Sequence, residues 1–289
     1  MQILAKRLCW CGSGLHYEQC HKAFDQKLDD FRKKGYLVPP RAIIKNQAQI
    51  EGIKKSAAIN VAVLDYVAQQ IGPGVTTAQI DRWVHDFTLE HGAIPAPLNY
   101  NGFPASVCTS VNNVICHGIP SENQVLQEGD IVNVDVSTIL NGYYSDSSRM
   151  FCIGKVDPKV KALVDATKTC MVLGLEQVKP WQPFGIIGQV INDYARKQGY
   201  RVVREIGGHG IGLDFHEDPF VCHVAKAGTG MLMVPGMCFT IEPMVNMGTH
   251  RFTVDRRDGW TVRTADGKPS AQWEIQVLVT ETGYEIIAW

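Results

Sequence analysis

Apolar residues recur at helical spacing over residues 47–70, where Ile50, Ile53, Ala57, Val61, Leu64 and Ala68 mark one face and Gly72-Pro73-Gly74 stops the run. Thr76-Thr77-Ala78-Gln79 has the spacing of a capping box and opens a second predicted helix that reaches Gly92. A loop carrying Pro95, Pro97, Tyr100 and Phe103 leads to a strand over 106–111, a turn at Asn112-Asn113 and a short apolar run ending at His117. Two apolar-rich runs follow, Asp130–Leu140 and Tyr143–Ile153, joined by Asn141-Gly142, both of which accept the positive φ that a two-residue hairpin turn needs. Asp157-Pro158 is an N-cap and N1 pair that opens a helix to about Lys179, and Gly185–Gln198 reads as a shorter one. Strands are expected around 200–206, 237–245, 251–263 and 271–279. Two helices and then strands, twice over, predict a pseudo-symmetric α+β domain with an antiparallel sheet on one side and helices on the other.

The hairpin fixes a register. Leu140 pairs with Tyr143, Ser137 falls opposite Asp146, and Asp135 leaves the same face as Ser137. Asp135 and Asp146 are then diagonal neighbours, with Cα atoms about 7–8 Å apart. Asp135 lies among Val132, Val134 and Val136, where an unpaired charge is expensive to bury. The spacing suits two hard cations, since paired metals sit about 3.5–4 Å apart.

Composition narrows the class. The chain has 289 residues, 45% hydrophobic and 20% charged, enough for one large domain and an appendage. No apolar run approaches a membrane span, and the opening Met1–Arg7 leads into no signal-type stretch, so a cytoplasmic chain with no membrane partner is expected. Nine cysteines is an odd number, and Cys108, Cys116, Cys152, Cys170, Cys222 and Cys238 sit among apolar neighbours, which fits reduced, buried thiols. Charge is uneven: residues 1–45 hold nine Lys/Arg against four Asp/Glu, a formal +5, leaving −6 for the rest. A basic head on an acidic body is expected to meet something anionic.

Residues 1–40 read as a separate unit, with Arg32-Lys33-Lys34 and Pro39-Pro40 marking a linker to a body over 41–289. Cys9, Cys11, Cys20 and His21 lie within 13 residues, and a segment this short needs a staple. In a reducing compartment that staple is one structural zinc, for which Cys₃His is a usual ligand set. His16 competes with His21, which is preferred because it adjoins Cys20.

Three further stretches carry chemistry. Gly207-Gly-His209-Gly-Ile-Gly212 lacks the spacing of a dinucleotide loop; it is read as glycines that let the backbone crowd a metal while His209 supplies a nitrogen ligand. Glu242 sits in an otherwise apolar strand, and Gln272, Glu274 and Gln276 share one face of theirs. Asp135, Asp146, His209, Glu242 and Glu274 together are oxygen ligands with one imidazole, a set for a pair of Mn²⁺, Fe²⁺, Co²⁺ or Zn²⁺ ions.

With His117 in Cys-His-Gly-Ile-Pro and His216 in Phe-His-Glu-Asp-Pro, these five resemble bacterial class I methionine aminopeptidase over residues 41–289, and the head resembles the SEC-C motif. The resemblance implies the pita-bread fold and removal of the initiator methionine from nascent proteins and peptides whose second residue is small, by two-metal hydrolysis. It implies that Asp135 holds one ion, His209 and Glu242 the other, and that Asp146 and Glu274 bridge them. Glu242 would shuttle protons, His117 would bond the scissile amide nitrogen, and His216 would stabilise the oxyanion. Tyr100, Phe103, Cys108, Phe215 and Trp260, with His117 and His216, match positions that contact substrate, and Asn112, Val114 and Ser270 match a monovalent-cation site. Pro97 and Ile275-Gln276 depart from the family pattern, which has a cysteine and His-Thr there. The resemblance also implies that the head contacts ribosomes or partner proteins. A monomer with no sequence-specific nucleic-acid partner is expected. A Pro-specific aminopeptidase or dipeptidase of the same fold, or a non-catalytic ribosome-binding relative, is the rival expectation.

Overall fold

A computed structural model gives the fold over residues 8–289, the described residues; the opening residues Met1–Arg7, on which the leader expectation rests, lie outside them. In chain order the elements are α1 (Lys22–Lys33), α2 (Gln47–Gln70), α3 (Thr77–Glu90), β1 (Ile94–Pro95), β2 (Cys108–Val111), β3 (Val114–Cys116), β4 (Ile131–Leu140) and β5 (Tyr143–Cys152). The second half holds α4 (Pro158–Leu175), α5 (Gly185–Lys197), β6 (Arg201–Val202), β7 (Gly208–Gly210), β8 (Glu217–Val221), β9 (Cys238–Ile241) and β10 (Met244–Asn246). It ends with β11 (Phe252–Val254), β12 (Val262–Thr264), β13 (Ser270–Gln272), β14 (Ile275–Val279) and β15 (Tyr284–Ala288).

The β4–β5 hairpin has the expected register, Leu140 opposite Tyr143 and Ser137 opposite Asp146, with Asn141 and Gly142 both at positive φ. β4 also pairs antiparallel with β2 and β1. A second antiparallel sheet has the order β15-β14-β9-β7-β8, and a bridge between Ser148 and Glu274 joins it to the hairpin. Two three-stranded sheets, β13-β10-β6 and β11-β12-β3, complete the framework. Each half buries its own helix pair. Val63, Leu64, Val67, Ile80 and Val84 of α2 and α3 pack with Val132, Val134 and Val136, and Leu163, Cys170, Met171, Ile187 and Ile191 of α4 and α5 pack with Phe239, Ile241, Ile275 and Val277. This is the predicted α+β repeat, with helices outside and the metal-type residues between the sheets.

Local differences have physical causes. The buried face of α2 is rotated from the predicted stripe: Ser56, Asn60, Val63 and Val67 are inside, while Val61 is half-buried and Ala68 exposed. Ser56 turns inward because its hydroxyl bonds Ser145 Oγ (2.9 Å) and donates to Thr138 O (3.1 Å), so part of the helix–hairpin contact is polar. At Thr76 the N-cap forms, accepting from Gln79 N at 3.1 Å, while the reciprocal box occurs one helix earlier, between Asn46 and Gln49. The long expected strands break into pairs: β9/β10 at Glu242-Pro243, β11/β12 around a turn at 255–260, and β13/β14 at Trp273-Glu274. All nine cysteines are free, and Cys152 is exposed instead of buried.

The head lies against the body. Phe31 stacks on Trp181 (ring centroids 5.7 Å, 10° between planes), Phe24 meets it at 5.4 Å, and Lys27 Nζ sits 4.0 Å over the same ring. Leu28, 4% exposed, joins the larger apolar cluster of the second half. The buried carboxylate of Asp25 accepts from Trp10 Nε1 (3.3 Å) and pairs with Arg41. Arg32 and Lys33 form the last turn of α1, where cations favour the helix dipole.

Candidate active site

Strand geometry delivers the polar residues to one place. Asp135 and Asp146 come from β4 and β5, and His209 from β7, whose glycines are required by neighbouring backbone: a Cβ on Gly208 would lie 2.3 Å from Thr240 O, and one on Gly210 2.1 Å from Asp218 O. At these two positions glycine is required for the close approach of neighbouring strands. Glu242 and Glu274 sit where strands break.

Ligand atoms of Asp146, His209 and Glu274 all lie within 4.8 Å of one another. His209 Nε2 is 3.7 Å from both Asp146 Oδ2 and Glu242 Oε1. His209 Nδ1 donates to Gly210 O at 3.0 Å, which leaves Nε2 unprotonated and turned to the carboxylates. Glu242 accepts from Thr240 Oγ1 (2.8 Å) and Gln272 Nε2 (3.2 Å). Asp146 accepts from Ser137 Oγ at 2.9 Å, and its amide donates to Gln276 Oε1 at 3.0 Å.

Without a cation the cluster is electrostatically frustrated. Burial pushes Asp135 up to about 6 and, with the Asp135 charge, Glu242 up to about 8. Burial and the neighbouring carboxylates hold Asp146 and Glu274 well above the usual range. Burial lowers His209 to about 3 and His117 to about 4, keeping both imidazoles neutral. Among the described residues, Asp135 Oδ1 is buried with no hydrogen-bond partner and no Lys or Arg lines the cavity. Four clustered carboxylates, one lone imidazole nitrogen and an orphan oxygen fit hard divalent ions.

These residues form part of the wall of a cavity of about 750 Å³ that is also lined by Tyr100, Phe103, Cys108, Phe215 and Trp260. Phe103 meets Trp260 edge-on at 5.2 Å, and Tyr100 meets Phe215 at 4.9 Å. His117, held at φ +55, and His216 both line it. His216 Nδ1 is 3.0 Å from the Tyr100 hydroxyl, and its ring lies 4.2 Å from that of His209. Pro97 is also in the lining. Asn112 and Ser270 touch outside the cavity, Ser270 N donating to Asn112 O at 2.9 Å; Val114 starts β3 beside them.

The head holds a second cluster. Cys9, Cys11, Cys20 and His21 offer ligand atoms within 4.8 Å of one another, with Cys9 Sγ and Cys20 Sγ at 3.2 and 3.1 Å from His21 Nδ1. His16 is not in this group.

The chain belongs to metallopeptidase family M24, which it matches over residues 51–281, and residues 8–23 match the SEC-C motif. Within that family it falls with the methionine aminopeptidases, hydrolytic exopeptidases. It is 48% identical to methionine aminopeptidase A of Synechocystis over 84% of this chain and 95% of the relative. It is 41% identical to the methionine aminopeptidase of Chlamydia trachomatis over 96% of each, an alignment that extends into the head. The crystal structure of the Rickettsia prowazekii methionine aminopeptidase superposes with a TM-score of 0.83 at 43% identity, covering 85% of this chain and 99% of that one.

Sequence reasoning missed several supporting residues. Thr240 gave no signal, and Gln276 stood out only by sharing a face with Glu274 and as a departure from the family pattern. Buried His223, whose Nε2 accepts from Glu242 N at 3.2 Å, gave none, and neither did the buried pair of Lys45 with Glu217.

Proposed function

We propose that this enzyme removes the initiator methionine from nascent proteins and peptides whose second residue is small. The observation that carries the reading is the cavity itself, in which five metal-type ligands share one space with an aromatic pocket and a thiol. Aromatic faces and soft sulfur favour a thioether side chain. Asp135 would hold one divalent ion, His209 and Glu242 a second, with Asp146 and Glu274 shared; Mn, Fe, Co or Zn would suit. Such ions, when bound, lower the pKa of water and polarise a carbonyl. Glu242, held by Thr240 and Gln272, moves the proton between water and the departing amine. Neutral His117 bonds the scissile amide nitrogen. The Tyr100 hydroxyl lies 3.0 Å from His216 Nδ1; with the hydroxyl as donor, Nε2–H would be left to meet the developing oxyanion.

Residues 1–40 form the zinc-binding extension and 41–289 the catalytic domain. The four head ligands hold one structural zinc, and the basic head docks on the ribosome near emerging chains. Asn112, Val114 and Ser270 hold a monovalent cation. The enzyme acts as a cytoplasmic monomer; no described helix is long and apolar enough to cross a membrane. A series of Met-X-Ser peptides tests the reading. Free methionine should appear fastest for X = Ala or Gly and fall steeply for Leu or Glu, whereas equal rates across the series would contradict it.

A further inference from the structure

A buried ion pair lies beneath the loop that carries Phe215 and His216. Lys45 is 4% exposed, and its ammonium pairs with Glu217, 172 positions along the chain. The other carboxylate oxygen of Glu217 accepts two backbone amides of the loop, Leu213 N at 2.7 Å and Asp214 N at 3.1 Å. Glu217 begins β8 at the residue facing Gly210, next to His209. One carboxylate thus joins a strand end, both amides of the turn that precedes Phe215-His216, and a cation from the other half of the molecule.

The path of Lys45 is fitted. A Cβ on Gly212 would fall 3.1 Å from Lys45 Cε, and one on Gly236 3.0 Å from Lys45 O. The Lys45 amide donates to Gly236 O at 2.8 Å, so the backbone is tied as well as the side chain. Removing one partner of a buried ion pair leaves the other charge uncompensated. Around the turn, Gly212 N donates to Asp214 O and Gly212 O accepts from Tyr144 N, so the two bonds to Glu217 are what fix Leu213 and Asp214 to β8.

We propose that Lys45 and Glu217 are positioning residues that set the angle of His216 in the cavity through the 213–216 turn. The proposal rests on the placement of His216 in the reaction above. Lys45 does not line the cavity; Glu217 does, but Lys45 and the two loop amides take up both of its carboxylate oxygens.

The test uses the full-length, metal-loaded enzyme and Met-Ala-Ser hydrolysis, with Lys45→Met made in the parent and in a His216→Ala background. In the parent, Lys45→Met should lower kcat by about 10–100-fold with KM and metal content little changed. In the His216→Ala background it should cost little more, because the group it positions is gone. An equal fold-loss in both backgrounds overturns the clamp. A silent His216→Ala overturns the role of His216 instead, and any loss in Lys45→Met then acts by another route, which also removes the proposal. If Lys45→Met fails to fold, the same two-background comparison is made with Lys45→Met/Glu217→Gln. That neutral pair keeps a side-chain oxygen for the loop amides, and the same criterion applies.

Discussion

Loading the catalytic cluster with metal at pH 7 should expel protons. In the metal-free protein Glu242 sits at about 8, so it is about nine-tenths protonated at pH 7, whereas Asp135 at about 6 is about nine-tenths ionised. Burial and neighbouring carboxylates also hold Asp146 and Glu274 well above the usual carboxylate range. Ligands must be deprotonated to bind, so at least about one proton, that of Glu242, should leave per chain as the site fills. The sign follows. Apparent affinity rises with pH between 6 and 8, because fewer protons remain to be displaced. Titration calorimetry of chelated enzyme with Mn²⁺, in buffers of different ionisation enthalpy, counts the protons directly. Binding enthalpy independent of buffer, with affinity flat from pH 6 to 8, would refute the claim that burial and mutual repulsion keep these carboxyls protonated without metal.

His117→Ala should lower kcat by about 10²–10⁴-fold while leaving metal content unchanged, since His117 lines the cavity but is not grouped with the Asp146, His209 and Glu274 ligand atoms; loss of a metal equivalent would show a ligand. Deleting residues 1–40 should remove one zinc, weaken ribosome co-sedimentation and leave peptide hydrolysis nearly unchanged; a truncated chain that keeps its zinc or pellets as before would argue otherwise. The same deletion strips Phe24, Leu28 and Phe31 from Trp181 and the apolar cluster, so the melting temperature should fall by several degrees. Burial holds His223 near 3, below its ordinary 6.5. The unfolded chain takes up that proton below pH 6.5 and the folded chain does not until about pH 3, so this stabilisation is present at neutral pH and is lost on acidification. The melting-temperature penalty of His223→Gln should therefore shrink between pH 7 and 5; a constant difference would contradict it.

Much of this architecture is legible because its signals are local. Asn141-Gly142 permits only a tight hairpin, and that turn fixes the Ser137–Asp146 register and hence the face from which both aspartates emerge. Gly72-Pro73-Gly74 and Asp157-Pro158 punctuate helices whose observed ends lie close to those expected. What stayed hidden depends on partners distant in sequence. β8, with Asp218 and Pro219 in its run, and β15, exposed over Tyr284–Ile286, carry little period-two hydropathy pattern and pair through the sheet alone. The α2 face was placed only in part: Ile53, Ala57 and Leu64 are buried as expected, but Ser56 and Asn60 also turn inward to hydrogen-bond partners on a hairpin about 80 residues ahead, which no hydropathy pattern reports. Among candidate ligands, Glu274 was suggested by the alternation of Gln272 and Gln276. The pocket's aromatics come from three separate loops, and only the family resemblance linked them.

The most direct test of the account is hydrolysis of Met-Ala-Ser beside Leu-Ala-Ser and Ala-Pro peptides, with metal analysis of the same enzyme sample. The account predicts free methionine from the first peptide, little turnover of the others, loss of activity after exhaustive chelation and its return with a divalent ion. Equal turnover of the Leu-first or Ala-Pro peptides, or full activity in a sample shown to be free of divalent metal, would contradict it.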